Sequence, residues 1–190
     1  MKRSPRADKV WFSDEMRLGL RGQVRRVLAP RGVKVVQSLQ LVYKWCYLIL
    51  AVEPCSGEIK WEWIERMNQE QIKPVLGQWD LECVVWDGAS SHKGQTLEDL
   101  RSVRVLLPAY SPELNPAERV FEEVRRWVEG EVYENMEAKK QIAEGYLKRL
   151  KREPEEVKRL CGWGWLRESI EALSTSTTTT STHPEPVAAA

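Results

Sequence analysis

Apolar and polar positions in the first half of the chain predict β-strands. A short apolar run covers 10–13 and ends at Asp14, and a longer one covers 41–52. After a turn, apolar and polar side chains alternate over 59–64, which predicts a half-buried strand paired with the preceding one. Two further buried strands are predicted over 82–86 and 103–107.

In the second half, apolar residues recur at helical spacing. The clearest helix start has Asn115 as the N-cap, Pro116 at the first helical position and Glu118 at the third. Its apolar stripe is expected to consist of Phe121, Val124, Trp127 and Val128. Other helices are predicted over 68–79, around Leu97 and Leu100, from Asn135 through Leu150, and from Pro154. The order of elements indicates a mixed sheet with helices packed on it, an α/β or α+β core.

The composition fits one folded domain of ordinary size. Of the 190 residues, 42% are hydrophobic and 30% are charged, which excludes wholesale disorder. No apolar run approaches the roughly 20 residues that cross a bilayer, so we expect a cytoplasmic protein without a membrane partner. The ordered domain is predicted over 1–173, and the Ser/Thr-rich segment 174–190 is predicted to be a disordered tail. The four cysteines have no spacing typical of a zinc site or a disulfide framework.

Charge is distributed unevenly along the chain. The formal net charge of +1 by itself argues against a nucleic-acid partner. Residues 1–34, however, contain ten Lys or Arg and three Asp or Glu, a net of +7, and the other residues have a net of −6. A local basic segment can contact phosphates whatever the total charge is. A solvated hairpin would have the same composition, so charge alone leaves both interpretations open.

Three carboxylates occupy positions where a site can form. Asp14 and Asp87 each close a predicted strand, and Glu118 lies in the first turn of a helix. Side chains at strand ends can converge in the crevice where α/β sheets bind their ligands. Carboxylates brought together in this way repel one another unless a cation neutralises them, and hard oxygen ligands suit Mg²⁺ or Mn²⁺.

Each of these carboxylates also has a purely structural interpretation. Glu118 fits a capping box at the helix start, and Asp87 precedes Gly88 and fits a turn. Asp14 can simply end a strand at the surface. Taken one at a time, these alternatives stay open.

Four longer stretches carry a more specific signal. In chain order they are FSDEMRLGL, RRVLAPRG, VVWDGASSHK and LLPAYSPELNPAERVFEEV. Together they resemble the catalytic domain of the DDE transposases of bacterial insertion sequences, which belong to the mariner superfamily. The most specific part is YSPELNPAE, where the family's third acid closes a Ser-Pro-x-Leu-Asn-Pro motif. The resemblance extends over roughly 9–170, nearly all of the predicted domain.

The resemblance implies an RNase H-like fold, an α/β architecture with a five-stranded mixed sheet flanked by helices. It also implies that Asp14, Asp87 and Glu118 are the catalytic acids and the ligands of two Mg²⁺ ions, for which Mn²⁺ can substitute. Members of this family hydrolyse a DNA strand at the element end, and the freed 3′-hydroxyl then attacks target DNA. No covalent protein–DNA intermediate is expected.

Two neighbouring acids are the alternatives within this assignment. Glu122 lies one turn after Glu118 on the same side of the helix, and Glu15 follows Asp14. Strand alternation places Asp14 on the face of Val10 and Phe12 and Glu15 on the opposite face, which favours Asp14.

The resemblance also implies partners. Double-stranded DNA, as element ends and as target in the bacterial nucleoid, is the expected partner, and a homodimer on DNA is expected because two ends are processed together. The residues predicted to bind phosphates are Arg21, Arg25, Arg26, Arg31 and Lys34. The first acid falls at position 14, which leaves no room for the family's helix-turn-helix domains. We therefore expect either an upstream helix-turn-helix polypeptide from a split gene or an inactive transposon remnant that folds and binds DNA non-specifically. A nuclease acting on RNA–DNA hybrids would share only the chemistry.

Overall fold

A five-stranded mixed sheet forms the centre of the molecule, in agreement with the predicted fold. The computed structural model describes residues 9–22, 28–86 and 102–176. The strands are β1 (Val10–Gly19), β2 (Trp45–Glu53), β3 (Glu58–Ile64), β4 (Cys83–Trp86) and β5 (Val103–Leu106). Their order across the sheet is β3-β2-β1-β4-β5. The β1–β2 and β2–β3 pairs are antiparallel, and the β1–β4 and β4–β5 pairs are parallel.

Helices cover both faces of this sheet. They are α1 (Gln69–Trp79), α2 (Ala117–Val128), α3 (Met136–Arg152), α4 (Pro154–Cys161) and α5 (Gly164–Ser176). Helix α1 packs on the face that carries Trp11 and Ile49, and the other four pack on the face that carries Phe12 and Leu50. Among the described residues, no helix is long and apolar enough to cross a membrane.

The ends of the predicted elements differ from the structure in several places. Helix α5 was not predicted and reaches Ser176, inside the segment expected to be a tail. The predicted helix around Leu97 and Leu100 lies outside the described residues, as does the tail after Ser176. Trp127, expected in the buried stripe of α2, is 55% exposed and stacks on Tyr146 with ring centroids 5.7 Å apart.

Strand β1 is longer than predicted, and this changes the position of Asp14. The strand continues to Gly19, so Asp14 lies in its middle, opposite Leu50 of β2, and does not close it. The residues after Asp14 continue the alternation, since Met16 and Leu18 are buried. On the opposite side of β1, the pairing with β4 extends from Val10 to Phe12. Asp14 therefore lies just beyond the paired part of β4, at the carboxyl end of the parallel strands.

The described residues between β1 and β2, 20–22 and 28–44, form a largely exposed arm. Residues 28–44 contain no regular secondary structure, so the predicted strand over 41–52 begins only at Trp45. The pairing weakens beyond Gly19, where single backbone hydrogen bonds connect Leu20 with Lys44 and Gly22 with Gln40. The arm contacts the domain through the Gln40 side chain. Its Nε2 donates to the carbonyl oxygen of Tyr133, and its Oε1 accepts the backbone N–H of Tyr133.

The turn between β2 and β3 requires glycine. Gly57 has a φ of +78°, and an added Cβ would lie 2.1 Å from the carbonyl oxygen of Pro154 at the start of α4. Gly130 has a φ of +97° but open space around it. We expect Gly57→Ala to lower the free energy of unfolding by about 3 kcal/mol or more, because backbone strain and a clash add together.

Gly130→Ala is the matched control, because it introduces backbone strain without a clash. It should lower the free energy of unfolding by about 1–2 kcal/mol. Urea unfolding of both variants measures the difference. Equal losses would show that the approach of α4 to this turn does not constrain Gly57.

Candidate active site

Asp14 projects from the middle of β1 toward the face that α2 covers. Its cross-strand neighbour Leu50 belongs to the core on that face, whereas Trp11 belongs to the core beneath α1. Glu15 follows Asp14 on the strand, and alternation therefore directs its side chain to the face of α1. The structure thus separates the two neighbouring acids as the strand pattern predicted.

Asn115 connects Asp14 with the beginning of α2. Its amide nitrogen Nδ2 lies 3.2 Å from Oδ2 of Asp14 and 3.2 Å from the carbonyl oxygen of Ser13, and it donates to both. Its Oδ1 accepts the backbone N–H of Ala117 at 3.1 Å. Asn115 is only 2% exposed, so these bonds form away from water and fix both the side chain and its partners. The remaining carboxylate oxygen of Asp14 accepts the backbone N–H of Glu15 at 2.8 Å.

This contact was not predicted from the sequence. Asn115 was expected only to cap the helix, and the structure confirms that its side chain accepts a backbone N–H in the first turn. The same side chain reaches 101 positions back along the chain to Asp14, which no local spacing can indicate. The Ser-Pro-x-Leu-Asn-Pro motif was the available signal, since it marks Asn115 as part of a specific turn.

Glu118 lies in the first turn of α2, as predicted, but it does not form a capping box. A capping box would need the Glu118 carboxylate to accept the backbone N–H of Asn115. That N–H instead donates to the carbonyl oxygen of Pro112 at 2.9 Å. The Glu118 carboxylate is 3.6 Å from the guanidinium of Arg125 and remains one-third exposed. The acid is therefore available at the surface, balanced by one cation.

A groove of about 450 Å³ opens beside these residues. Asn115, Glu118, Glu122 and Arg125 line it, together with Arg119. Glu122, the alternative acid, is engaged by Arg119 in an ion pair of 3.0 Å. Glu118 lies closer to Asn115 than Glu122 does. The backbone N–H of Glu118 donates to the carbonyl oxygen of Asn115 at 3.1 Å. The groove thus contains the helical acid and the residue that holds Asp14.

The chemistry of these donors fits a divalent cation. Asp14 and Glu118 offer carboxylate oxygens, the ligand type that Mg²⁺ and Mn²⁺ prefer. Hydrogen bonds from the backbone N–H of Glu15 and from Nδ2 of Asn115 orient the two carboxylate oxygens of Asp14. Within the described part of the chain, no three acidic, histidine or cysteine side chains form a metal-binding group. Asp87, the third predicted ligand, follows Trp86 of β4 in the sequence and lies outside the described residues.

Of the five basic residues predicted to bind DNA, the structure describes three, and all three are exposed. Arg21 is exposed at the start of the arm, and its guanidinium lies 5.0 Å from the ring centroid of Tyr43. Arg31 and Lys34 are exposed further along the arm. Arg25 and Arg26 lie outside the described residues.

A buried thiol supports the loop that precedes α2. Cys161 of α4 is fully buried, and its Sγ donates to the carbonyl oxygen of Pro116 at 3.4 Å. Burial raises the pKa of the Cys161 thiol to about 12, so the folded state favours the neutral form.

Alkaline solution is therefore expected to destabilise the protein through Cys161. Stability from this group is complete below the unfolded pKa near 9 and is lost as pH rises toward the folded value of about 12. The free energy of unfolding should fall by up to about 1.4 kcal/mol per pH unit in that window from this thiol. Cys161→Ser keeps the donor to Pro116 without the titration. Denaturant unfolding from pH 8 to 11 should show a shallower slope for the variant, and equal slopes would contradict the assignment.

Comparisons with known proteins agree with this arrangement. The sequence matches the family model described as DDE superfamily endonuclease over residues 9–142. No curated protein matches the sequence significantly. Several solved structures share the fold at low sequence identity.

The Mos1 transposase paired-end complex with left transposon end has a TM-score of 0.61 and 17% identity, over 90% of this chain and 56% of that chain. The Mos1 strand transfer complex has a TM-score of 0.61 and 17% identity, over 88% and 54% of the two chains. The mariner Mos1 paired end complex with Mg has a TM-score of 0.55 and 18% sequence identity, over 88% of this chain and 55% of that chain. The chain spans about half the length of these transposases. By the family match and the strand order, the chain belongs to the DDE superfamily of endonucleases and has an RNase H-like fold.

Proposed function

We propose that the chain is the catalytic domain of an insertion-sequence transposase. It cleaves DNA strands at the ends of a mobile element and transfers them to target DNA, with Mg²⁺ held by Asp14, Asp87 and Glu118. The family match and the transposase–DNA complexes that share the fold support this reaction class. The complex with Mg among them supports a divalent metal.

One observation carries the proposal. In a chain of this family, the buried Asn115 side chain joins Asp14 of β1 to the first turn of the helix that carries Glu118. This connection between segments more than 100 residues apart in the sequence supports a site shared by the two acids. Strand β4 pairs in parallel with β1, Cys83 with Val10 and Val85 with Phe12. The third proposed acid, Asp87, follows Trp86 of β4 in the sequence and lies outside the described residues.

The protein's own groups have defined tasks in this scheme. When bound, the metal would supply a polarised attacking oxygen and stabilise the leaving oxygen of the phosphodiester. Asn115 holds the Asp14 carboxylate in place through a neutral donor, which adds no charge to compete with the metal. Arg125 balances Glu118 in the absence of metal and adds positive charge beside the groove for the phosphate.

The family resemblance also suggests partners for recognition of the DNA ends. We propose an upstream helix-turn-helix polypeptide that recognises the element ends and a homodimer that holds two ends together. Both follow from the family resemblance. Activity should therefore be measured with the helix-turn-helix polypeptide present and under conditions that allow a homodimer to form on DNA.

The test joins this chain to the helix-turn-helix polypeptide encoded upstream and incubates it with labelled element-end DNA. We expect strand cleavage with Mg²⁺ or Mn²⁺, none with EDTA, and loss of cleavage in Asp87→Asn. Equal activity of Asp87→Asn and wild type would overturn the proposal. A folded protein that binds DNA but never cleaves it would favour the inactive remnant.

A further inference from the structure

A basic cleft lies next to the candidate active site. It has a volume of about 840 Å³ and opens where the end of β1 and the start of β2 meet the last turn of α2. Five cationic side chains line it, namely Arg17, Arg21, Lys44, Arg125 and Lys139. Its carboxylates are Glu129 and Glu131. The lining is therefore strongly positive in a chain whose formal net charge is only +1.

The two arginines of β1 and the arm are held by aromatic rings. The guanidinium of Arg17 lies 5.9 Å from the ring centroid of Trp45, and that of Arg21 lies 5.0 Å from the ring centroid of Tyr43. A guanidinium stacked on a ring keeps its in-plane N–H groups free for a second partner. No ion pair between described residues involves Arg17, Arg21 or Lys44. The rings orient the two arginines, and no ion pair with another described residue neutralises them, which is an arrangement that suits a phosphate.

Lys139 adds a fixed positive charge at the wall of the cleft. It is 5% exposed, and its Nζ donates to the carbonyl oxygen of Gly19 at 2.7 Å. This bond attaches the end of β1 to the first turn of α3. Burial lowers the pKa of Lys139, yet no carboxylate of the described residues forms an ion pair with it. A bound anion would favour its charged form.

Arg125 connects this cleft with the groove at the candidate active site. It lines both, and it is the residue that pairs with Glu118 at 3.6 Å. Arg125 thus connects the groove that contains Glu118 with the cleft that Arg17 and Lys44 line. Several cationic groups lining one cleft suit a polyanion better than a single small anion.

We propose that this cleft binds backbone phosphates of the DNA strand that flanks the cleavage position. The cleft is separate from the arm residues Arg31 and Lys34, and it deepens the function proposed above, on which it rests. Binding here is independent of base sequence, because the contacts are to phosphates.

Salt-dependent binding of the full chain tests the proposal. Fluorescence anisotropy with a labelled duplex of arbitrary sequence, in EDTA, gives the slope of log K against log salt from 50 to 200 mM. Arg17→Gln and Lys44→Gln should each reduce the magnitude of that slope by about 0.9, and the double variant by about twice that. With a single strand of the same length, the reduction should be about 0.7 for each lost contact.

Lys151→Gln is the matched control. Lys151 is also exposed and lies 5.6 Å from the centroid of a tryptophan ring, that of Trp61, but it is outside the cleft. It should leave both slopes unchanged. Unchanged slopes in Arg17→Gln and Lys44→Gln, or an equal effect of Lys151→Gln, would overturn the proposal. Thermal unfolding of each variant verifies that it is folded.

The assay separates this proposal from the catalytic one. Since EDTA is present, Asp14→Asn should bind at least as tightly as wild type, because it removes a negative charge that no metal balances. If the joined wild-type protein does not cleave DNA but the salt slopes still depend on Arg17 and Lys44, the catalytic assignment is contradicted. DNA binding by the cleft is then still supported. If cleavage depends on metal but the salt slopes do not change in Arg17→Gln and Lys44→Gln, only the proposal for the cleft is contradicted.

Discussion

Glu118→Gln is expected to reduce metal-dependent DNA cleavage by about 10²–10³-fold or more, because the proposed function makes Glu118 a charged metal ligand at the reacting phosphate. The same change should hardly affect stability. The only ion pair of Glu118 shown among the described residues is the partly exposed contact with Arg125 at 3.6 Å, and such pairs contribute about 0–1 kcal/mol. Cleavage of element-end DNA by the joined protein and urea unfolding of the chain measure the two effects.

Glu122→Gln is the control that makes this result specific. Glu122 lies one turn further along α2, lines the same groove and has a comparable ion pair with Arg119. Its removal should change cleavage by less than about tenfold. If Glu122→Gln lost cleavage and Glu118→Gln kept it, the helical acid of the site would be Glu122.

Asn115→Ala is expected to lower both stability and activity. It removes one acceptor for Ala117 N–H and one donor shared by Ser13 and Asp14, all at a position only 2% exposed. Loss of a cap and of buried hydrogen bonds predicts a decrease of about 2–4 kcal/mol in the free energy of unfolding. Cleavage by the folded fraction should fall about 10–100-fold, as for residues that orient a metal ligand.

Asn115→Asp distinguishes the donor from the acceptor. The aspartate keeps an acceptor for Ala117 N–H but places a second carboxylate 3.2 Å from that of Asp14. At pH 7 this variant should be less stable than Asn115→Ala because like charges repel in a buried setting. The difference should shrink as the pH falls toward about 4 and a proton is shared. A difference that does not change between pH 7 and 4 would contradict the contact with Asp14.

The sheet and most helices could be predicted because local patterns determine them. Alternation over 59–64 corresponds to β3, and the cap at Asn135 begins α3 as expected. The predicted β1 is too short because an aspartate after an apolar run resembles the end of a strand. The pattern after it, with Met16 and Leu18 buried and Arg17 exposed, already continued the strand.

The features that create the site were beyond local patterns. The bond from Asn115 to Asp14 joins positions far apart in the sequence, and only the tertiary fold brings them together. The basic cleft likewise combines β1, the arm, α2 and α3. Arg17, Lys44 and Arg125 therefore did not stand out in a reading by segment, whereas the charge excess in residues 1–34 did.

Mn²⁺ binding to the full chain, followed by electron paramagnetic resonance, tests directly whether Asp14, Asp87 and Glu118 form one metal site. We expect Asp14→Asn, Asp87→Asn and Glu118→Gln each to weaken Mn²⁺ binding by at least about tenfold. Glu15→Gln, on the opposite face of β1, should bind Mn²⁺ like the wild type. Wild-type affinity in all three acid variants would contradict a shared metal site formed by Asp14, Asp87 and Glu118.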